Sequence, residues 1–282
     1  MRRAAVVIAV LCMGVAGLGQ DNSKQAAPPA GQAAGQAATQ GKRPPQAKTK
    51  PEFDAFNAAM AMTDPAAQEK AADDFASKFP TSELRALLYR QGPLRLYGQA
   101  HNDDKALEMA RKVLGIDPDD PEALLAAAQI LSNRTKDSDA DKDKNAAEAQ
   151  KDAERALVTV DTDIPTAAYQ PDQLAAYKAN ARSEAYSILG ALSFTANKWA
   201  EAEVSLRKSI EALPDQPDPL TVYQLAVALD EQDKFAEAMK YADQAVNLTK
   251  DQPNSDLGKA ARKEKDRVTT LNSGSAPGAP KK

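Results

Sequence analysis

Cysteine, histidine and aromatic residues are scarce in this chain of 282 residues, and each scarcity excludes a class of chemistry. The single cysteine, Cys12, lies in an apolar N-terminal run, so the remainder of the sequence offers neither a thiol nor a disulfide. The single histidine, His101, has no cysteine or second histidine to complete a typical zinc site, and no strand-borne nucleophile motif accompanies it. A glycine-rich phosphate loop is also absent. We therefore predict that the protein is not an enzyme and carries no cofactor.

Positive charge is scarce in the long central part of the chain. Residues 51–272 hold 27 Lys and Arg against 39 Asp and Glu, a formal charge of −12, whereas residues 20–50 are mildly basic. Nucleic-acid binding needs a basic surface because contacts with phosphates supply most of the affinity. The charge distribution therefore argues against nucleic acid as a partner.

The first 19 residues have the pattern of a targeting segment. Arg2 and Arg3 precede the apolar residues 4–15, and small residues follow. The run is too short, and too interrupted by glycine, for a membrane span. We expect a signal peptide over 1–19, an exported protein that is periplasmic or secreted, and no integral span after cleavage. A lipid anchor at Cys12 and an uncleaved anchor remain as alternatives.

Two further segments have the composition of disordered chain. Residues 20–51 are rich in Pro, Gln and Ala and contain no large apolar side chain, so they cannot bury enough surface to offset chain entropy. We predict a disordered linker there and a disordered tail over 272–282. The region between them, residues 52–271, has helical periodicity throughout.

A helical pair is clearest between Glu184 and Pro214. Apolar residues recur at three- and four-residue spacing on both sides of residues 196–198, which predicts two helices joined by a tight turn. Gly190 falls within the first helix, where glycine costs about 1 kcal/mol relative to alanine. We therefore expect Gly190 to allow a close approach of the second helix at Ala202. The next residue, Glu203, is expected to face solvent.

This pair resembles the tetratricopeptide repeat. The matching residues are Tyr186, Leu189, Gly190, Ala202 and Pro214, and the twelve-residue step from Gly190 to Ala202 recurs from Leu94 to Ala106 and from Ala226 to Ala238. The resemblance implies an all-α fold, an α-solenoid of antiparallel helix pairs in about five units with a C-terminal capping helix. Pro93 falls inside a helix, so a kink is expected there. The approximate units are 52–80, 81–120, 121–160, 171–216 and 217–252, and the capping helix covers 255–271.

In the family that this chain resembles, the first helices of stacked repeats line a concave groove that binds a peptide or a partner helix. The Lys and Asn that clamp a C-terminal carboxylate in that family are replaced here by Ser187, Ala191, Tyr223 and Val227, so that chaperone-type mode is disfavoured. The groove residues implied by the repeat positions are Arg95, Gln99, Leu125, Gln129, Asn133, Glu184, Ser187, Ala191, Tyr223, Val227 and Asp230.

The resemblance implies a non-catalytic protein-protein interaction scaffold in the bacterial cell envelope, with another protein or peptide as partner. An accessory subunit of an outer-membrane assembly or secretion machine is the alternative. A small-molecule binder or an enzyme ranks last.

An acidic insertion of about nine residues separates the two helices of the third unit. Lys142 stands where a calcium loop of the EF-hand type needs glycine, and Lys144 stands where an apolar residue is usual. We therefore interpret the insertion as a solvated loop and predict no metal. Calcium is a weak alternative, because positions 1, 3, 5, 7 and 12 of such a loop are occupied by Asp137, Asp139, Asp141, Asp143 and Glu148.

Overall fold

The computed structural model describes residues 42–135 and 140–273. Regular structure in these ranges is helical, and no strand occurs in them. The helices pack in successive antiparallel pairs, which confirms the predicted all-α solenoid. The α-helices are α1 Lys50–Met60, α2 Pro65–Lys78, α3 Leu84–Tyr89, α4 Arg95–Gln99, α5 Asp103–Ile116, α6 Pro121–Ser132, α7 Lys142–Thr162, α8 Pro171–Thr195, α9 Trp199–Ala212, α10 Pro219–Asp230, α11 Phe235–Leu248 and α12 Asp256–Asn272.

Asp-Pro sequences begin three of these helices. Asp64, Asp120 and Asp218 each cap a helix by accepting a hydrogen bond from the backbone N–H three residues later. Aspartate also interacts favourably with the positive end of the helix dipole. Proline follows each aspartate, where its missing N–H would have had no helical partner and its fixed φ suits a helix. The beginnings of α2, α6 and α10 are therefore determined by local sequence.

Three helix pairs share one connecting turn. His101, Asn197 and Asp233 have positive φ angles of 55°, 56° and 57°, in the left-handed region that His, Asn and Asp adopt more readily than most residues. The following residue in each turn donates its backbone N–H to the carbonyl five residues earlier, at 2.9 to 3.0 Å. The single histidine of the chain is thus an exposed turn residue.

The first helix of the second pair breaks at Pro93, as predicted. Between α3 and α4 the chain forms a wide helical turn over Arg90–Leu94, in which Gly92 has non-helical angles of φ −92° and ψ −108°. Proline lacks the N–H that an unbroken helix requires and clashes with the preceding turn. The break leaves Arg90 at the junction, from which its guanidinium reaches the start of α6.

Gly190 allows the close approach that was predicted, but its neighbour is Leu206. A Cβ added to Gly190 would lie 2.5 Å from Leu206 Cδ2 and 3.3 Å from the Leu206 backbone nitrogen. Ala202 is fully buried one turn earlier on the same face of α9. The three atoms nearest to the position of that Cβ all belong to Leu206, one turn after Ala202.

Glu203 does not face solvent, and that prediction is wrong. Its side chain is only 13% exposed. The carboxylate accepts hydrogen bonds from Lys234 Nζ at 2.6 Å, from Gln232 Nε2 at 2.9 Å and from Arg207 Nη2 at 3.0 Å. Glu203 faces the next helix pair along the solenoid, so it joins two repeats instead of meeting water.

Helix α8 extends about three turns beyond the length of a repeat helix. The extension packs across the preceding pair, where Lys178 and Arg182 bind Asp161 of α7 at 2.9 and 2.7 Å. A short 3-10 turn over Thr166–Ala168 leads into it. This extension brings side chains of α8 beside those of α6.

Part of the predicted linker belongs to the helical domain. Lys42 forms ion pairs with Asp117 and, at 3.9 Å, with Asp163, and Arg43 binds Glu83 at 2.5 Å. Helix α1 then begins at Lys50, so the assignment of residues 42–51 to a disordered linker is wrong. The prediction weighed only the lack of apolar side chains, whereas acidic residues of the domain hold this basic stretch.

Candidate functional site

Helices α6, α8 and α10 are the first helices of three successive pairs and contact one another side by side. Ser187 of α8 and Thr221 of α10 share a hydrogen bond of 2.8 Å across this row. We call the surface formed by these three helices the first-helix face. Most of the residues predicted to line the groove lie on it.

The predicted groove residues differ in how accessible they are. Leu125 and Asp230 are buried and unavailable to a partner, because Leu125 packs into the core and the carboxylate of Asp230 binds Arg267 of α12. Those two assignments are wrong. The residues that remain exposed are Arg95, Gln99 and Asn133, and the partly exposed ones are Gln129, Glu184, Ser187, Ala191, Tyr223 and Val227.

An arginine anchors a group of charges at one end of this face. Arg90 Nη1 lies 3.3 Å from Asp120 Oδ2 and 3.3 Å from Glu122 Oε1, both at the start of α6. The Arg90 side chain is only 13% exposed, and its Nε is buried without a hydrogen-bond partner among the described residues. A single guanidinium thus forms ion pairs with two carboxylates.

Two tyrosines lie beside these charges. The rings of Tyr169 and Tyr177 are 5.6 Å apart between centroids and inclined at 40°. Burial raises the pKa of Tyr177 well above its usual range, and the negative charge of Glu122 raises it further. Both effects keep the phenol protonated, so it can donate a hydrogen bond at neutral pH.

Glu184 lies two helical turns after Tyr177 and therefore on the same side of α8. Burial raises the pKa of the Glu184 carboxyl to about 7, and the charge of Glu122 adds to this. Within the described ranges no group donates a hydrogen bond to Glu184 and no cation pairs with it, although the side chain stays partly accessible from the first-helix face. We call Arg90, Asp120, Glu122, Tyr169, Tyr177 and Glu184 together the carboxylate–tyrosine cluster.

Sequence reasoning identified Glu184 of this cluster and missed its neighbours. Glu184 was found because it occupies a groove position of the repeat. Arg90 is brought in by the break at Pro93, and Tyr177 by the extension of α8 over α6. No periodicity in the sequence connects these segments, since they are separated by about 30 to 90 residues.

The weak calcium candidate is only partly within the described residues. Asp137 and Asp139 lie outside them, Asp141 and Asp143 are exposed, and Glu148 binds Arg111 Nη2 at 2.8 Å. Across the ranges described, no three His, Cys, Asp or Glu side chains are grouped so as to hold a metal ion. The same ranges contain no helix with the length and apolar character needed to cross a membrane.

The paired helices, the shared left-handed turn and the row of first helices define an all-α solenoid of antiparallel helix pairs, which is the fold that the resemblance to the tetratricopeptide repeat implies. No protein-family model matches the chain, and no curated protein matches its sequence.

Three solved structures show similarity in fold. The MamA protein has a TM-score of 0.48 at 14% identity, over 73% of this chain and 93% of that one. PilW, a widely conserved type IV pilus biogenesis factor, has a TM-score of 0.46 at 19% identity, over 81% and 96%. Acl4, the assembly chaperone of RpL4, has a TM-score of 0.38 at 15% identity, over 79% and 99%. Similarity at this level carries no statement of what this chain binds.

Proposed function

We propose that this protein is a non-catalytic protein-interaction scaffold that holds a peptide or a partner helix on its first-helix face. The observation that carries the proposal is a contrast between two surfaces. On the second helices, acidic and basic side chains pair with one another from repeat to repeat, as Glu69 does with Lys105 at 3.0 Å and Asp73 with Lys112 at 2.8 Å. On the first-helix face, Ala191 and Val227 are partly exposed, and Glu184 is partly exposed with no ion-pair partner among the described residues.

Site-specific photo-crosslinking tests the proposal with two valines. We expect a photoreactive residue at Val227, on the first-helix face, to capture one protein that mass spectrometry identifies. The same residue at Val204, which is 55% exposed on α9, should capture little, since it lies on a second helix. Equal capture of the same proteins at both positions would rule out the first-helix face as the binding surface. Capture of outer-membrane proteins at Val227 would favour the alternative, an accessory subunit of an assembly or secretion machine.

We propose that the protein works in the cell envelope, which rests on the targeting pattern of residues 1–19. The mature chain is expected to begin between Gly17 and Asp21. N-terminal sequencing of the protein from osmotic-shock and culture-medium fractions measures this directly. An intact Met1 on protein confined to the cytosol would refute the location.

A further inference from the structure

The carboxylate–tyrosine cluster is assembled from three separate parts of the domain. Arg90 comes from the break between α3 and α4, and Asp120 and Glu122 come from the start of α6. Tyr169, Tyr177 and Glu184 come from α8 and the segment just before it. The cluster is therefore a product of the fold and forms at the edge of the first-helix face. Helices α6 and α8 pack against each other, and the ion pairs of Arg90 join the α3–α4 break to α6.

Negative charge in this cluster exceeds the positive charge available to it. Arg90 is the one cation that contacts it among the described residues, and its guanidinium already lies between Asp120 and Glu122. Glu184 has no cation of its own. Asp161 of α7 differs, since it binds both Lys178 and Arg182.

An enclosed carboxylate without a partner is costly, because surrounding protein atoms replace water that would otherwise solvate its charge. The raised pKa of Glu184 reports this cost, as burial and the nearby charge of Glu122 both disfavour ionisation. A cation supplied from outside the domain would offset both effects. An anion would meet two carboxylates of like charge and is excluded.

The side chains around Glu184 favour an organic cation over a metal ion. The ring of Tyr169 is partly exposed and packs against the buried ring of Tyr177, so it offers an aromatic surface that attracts a guanidinium or ammonium group. Glu122 and Glu184 supply carboxylates, which match the donors of an arginine in paired hydrogen bonds. The described residues nowhere group three metal-binding side chains.

We infer that the carboxylate–tyrosine cluster is a receptor for one basic side chain, an arginine or a lysine, carried by the protein segment that binds the first-helix face. Glu184 and Glu122 bind the charged group, and Tyr169, which is partly exposed, contacts its aliphatic part. The inference rests on the proposed function and specifies the chemistry of its partner.

The test uses the full mature chain and small probes whose charge can be changed. N-acetyl-arginine methylamide is titrated while chemical shifts of Glu184 and Tyr177 are followed by NMR, and the neutral isostere N-acetyl-citrulline methylamide serves as its control. We expect saturable shifts with the arginine probe at millimolar concentration and at least tenfold weaker binding of citrulline. Equal binding of the two probes would overturn the inference.

Two variants locate the binding. Glu184→Gln should weaken arginine binding about tenfold or more, because it removes a charged hydrogen-bond acceptor. Glu211→Gln makes the same change at an exposed position of α9 and should leave binding unchanged. An unaltered affinity in Glu184→Gln would overturn the assignment.

The pH dependence supplies a readout that a merely structural role would not give. A cation binds the ionised form of Glu184, so affinity for the arginine probe should rise up to about tenfold between pH 6 and pH 8. Glu122 acts on Glu184 from the start of α6, and Glu122 is itself paired with Arg90, which also pairs with Asp120. The Glu184→Gln variant should lose this rise, and its persistence there would count against the inference.

Failure of the inference and failure of the proposed function give different results. If Val227 still captures its partner while Glu184→Gln binds the arginine probe normally, the scaffold function stands and the receptor for a basic side chain does not. If only a chain truncated after Ser273 binds the probe, the occupant is the protein's own basic C-terminus, which contains Lys281 and Lys282, and the inference is overturned.

Discussion

Replacing Leu206 with alanine is expected to destabilise the pair formed by α8 and α9 by about 2–5 kcal/mol. Leu206 is fully buried, and its side chain fills the space left by the absent side chain of Gly190. Truncation to alanine removes the methyl groups that approach Gly190 and leaves a cavity against a backbone that cannot collapse completely. Urea unfolding followed by circular dichroism gives the change in the free energy of unfolding.

The same contact predicts that a second substitution compensates for the first. Gly190→Ala alone should cost about 1–3 kcal/mol, since its methyl would lie 2.5 to 2.7 Å from carbons of the fully buried Leu206 side chain and 3.3 Å from the Leu206 backbone nitrogen. In the double variant that methyl enters the cavity created by Leu206→Ala. The double variant should therefore be more stable than the sum of the two single changes predicts, by about 1 kcal/mol or more.

Val204→Ala is the matched control, because Val204 is on the same helix but more than half exposed. Its effect should stay within about 0.5 kcal/mol. Stability in stacked repeats is close to a sum of repeat and interface terms, so Leu206→Ala should also speed amide exchange in α10 and α11. Strict additivity of Leu206→Ala and Gly190→Ala would show that the two residues do not share this contact.

The sequence predicted those parts of the fold that local residues determine. Asp120 and Asp218, each followed by proline, mark helix starts through interactions within four residues, and the spacing of alanines marks the packed faces. Whether Gly190 meets Ala202 or Leu206 depends on how far α8 is displaced along α9. Both residues lie on one face of α9, one turn apart, so periodicity cannot distinguish them.

Contacts between repeats were less predictable. The sequence predicts that Glu203 faces solvent, because the repeat pattern assigns Ala202 and not Glu203 to the contact within the helix pair. In the structure, Glu203 forms an ion pair with Lys234 of the next pair. Arg90 and Tyr177 were missed for the same reason, since their positions depend on the helix break at Pro93 and on the length of α8. The repeat position of Glu184 predicts that it lies on the first-helix face. That no cation lies beside its carboxylate can be seen only in the folded structure, where the neighbouring helices are present.

The capping helix α12 is held by a group of three ionisable side chains. Asp230 of α10 is completely buried, and Arg267 of α12 donates a hydrogen bond to its Oδ2. Glu264 of α12 is also buried, and neither its Oε1 nor Asp230 Oδ1 has a hydrogen-bond donor among the described residues. Two buried carboxyl groups are most stable when one proton is shared between them.

Burial raises the pKa of Glu264 to about 7, and its hydrogen bond and charge interaction with Asp230 act in the same direction. Arg267 opposes the shift, and Glu231 adds slightly to it. The folded protein therefore holds this proton more tightly than the unfolded chain, in which the pKa of a glutamate is near 4.5. The stabilisation is fully present below pH 4.5 and is lost as the pH rises through about 7.

We therefore expect α12 to be less firmly attached at pH 8 than at pH 5, by about 1–3 kcal/mol of unfolding free energy. Glu264→Gln imitates the protonated side chain and should remove this loss, so the variant should match the wild type at pH 5 and exceed it at pH 8. Glu211→Gln, at an exposed position of α9, should follow the wild type at both pH values. Amide exchange of α12, referred to that of α6, isolates the effect from other titrating groups. If the wild type and Glu264→Gln had parallel pH profiles, the shared proton would not exist, and α12 would be held by Arg267 and its apolar contacts alone.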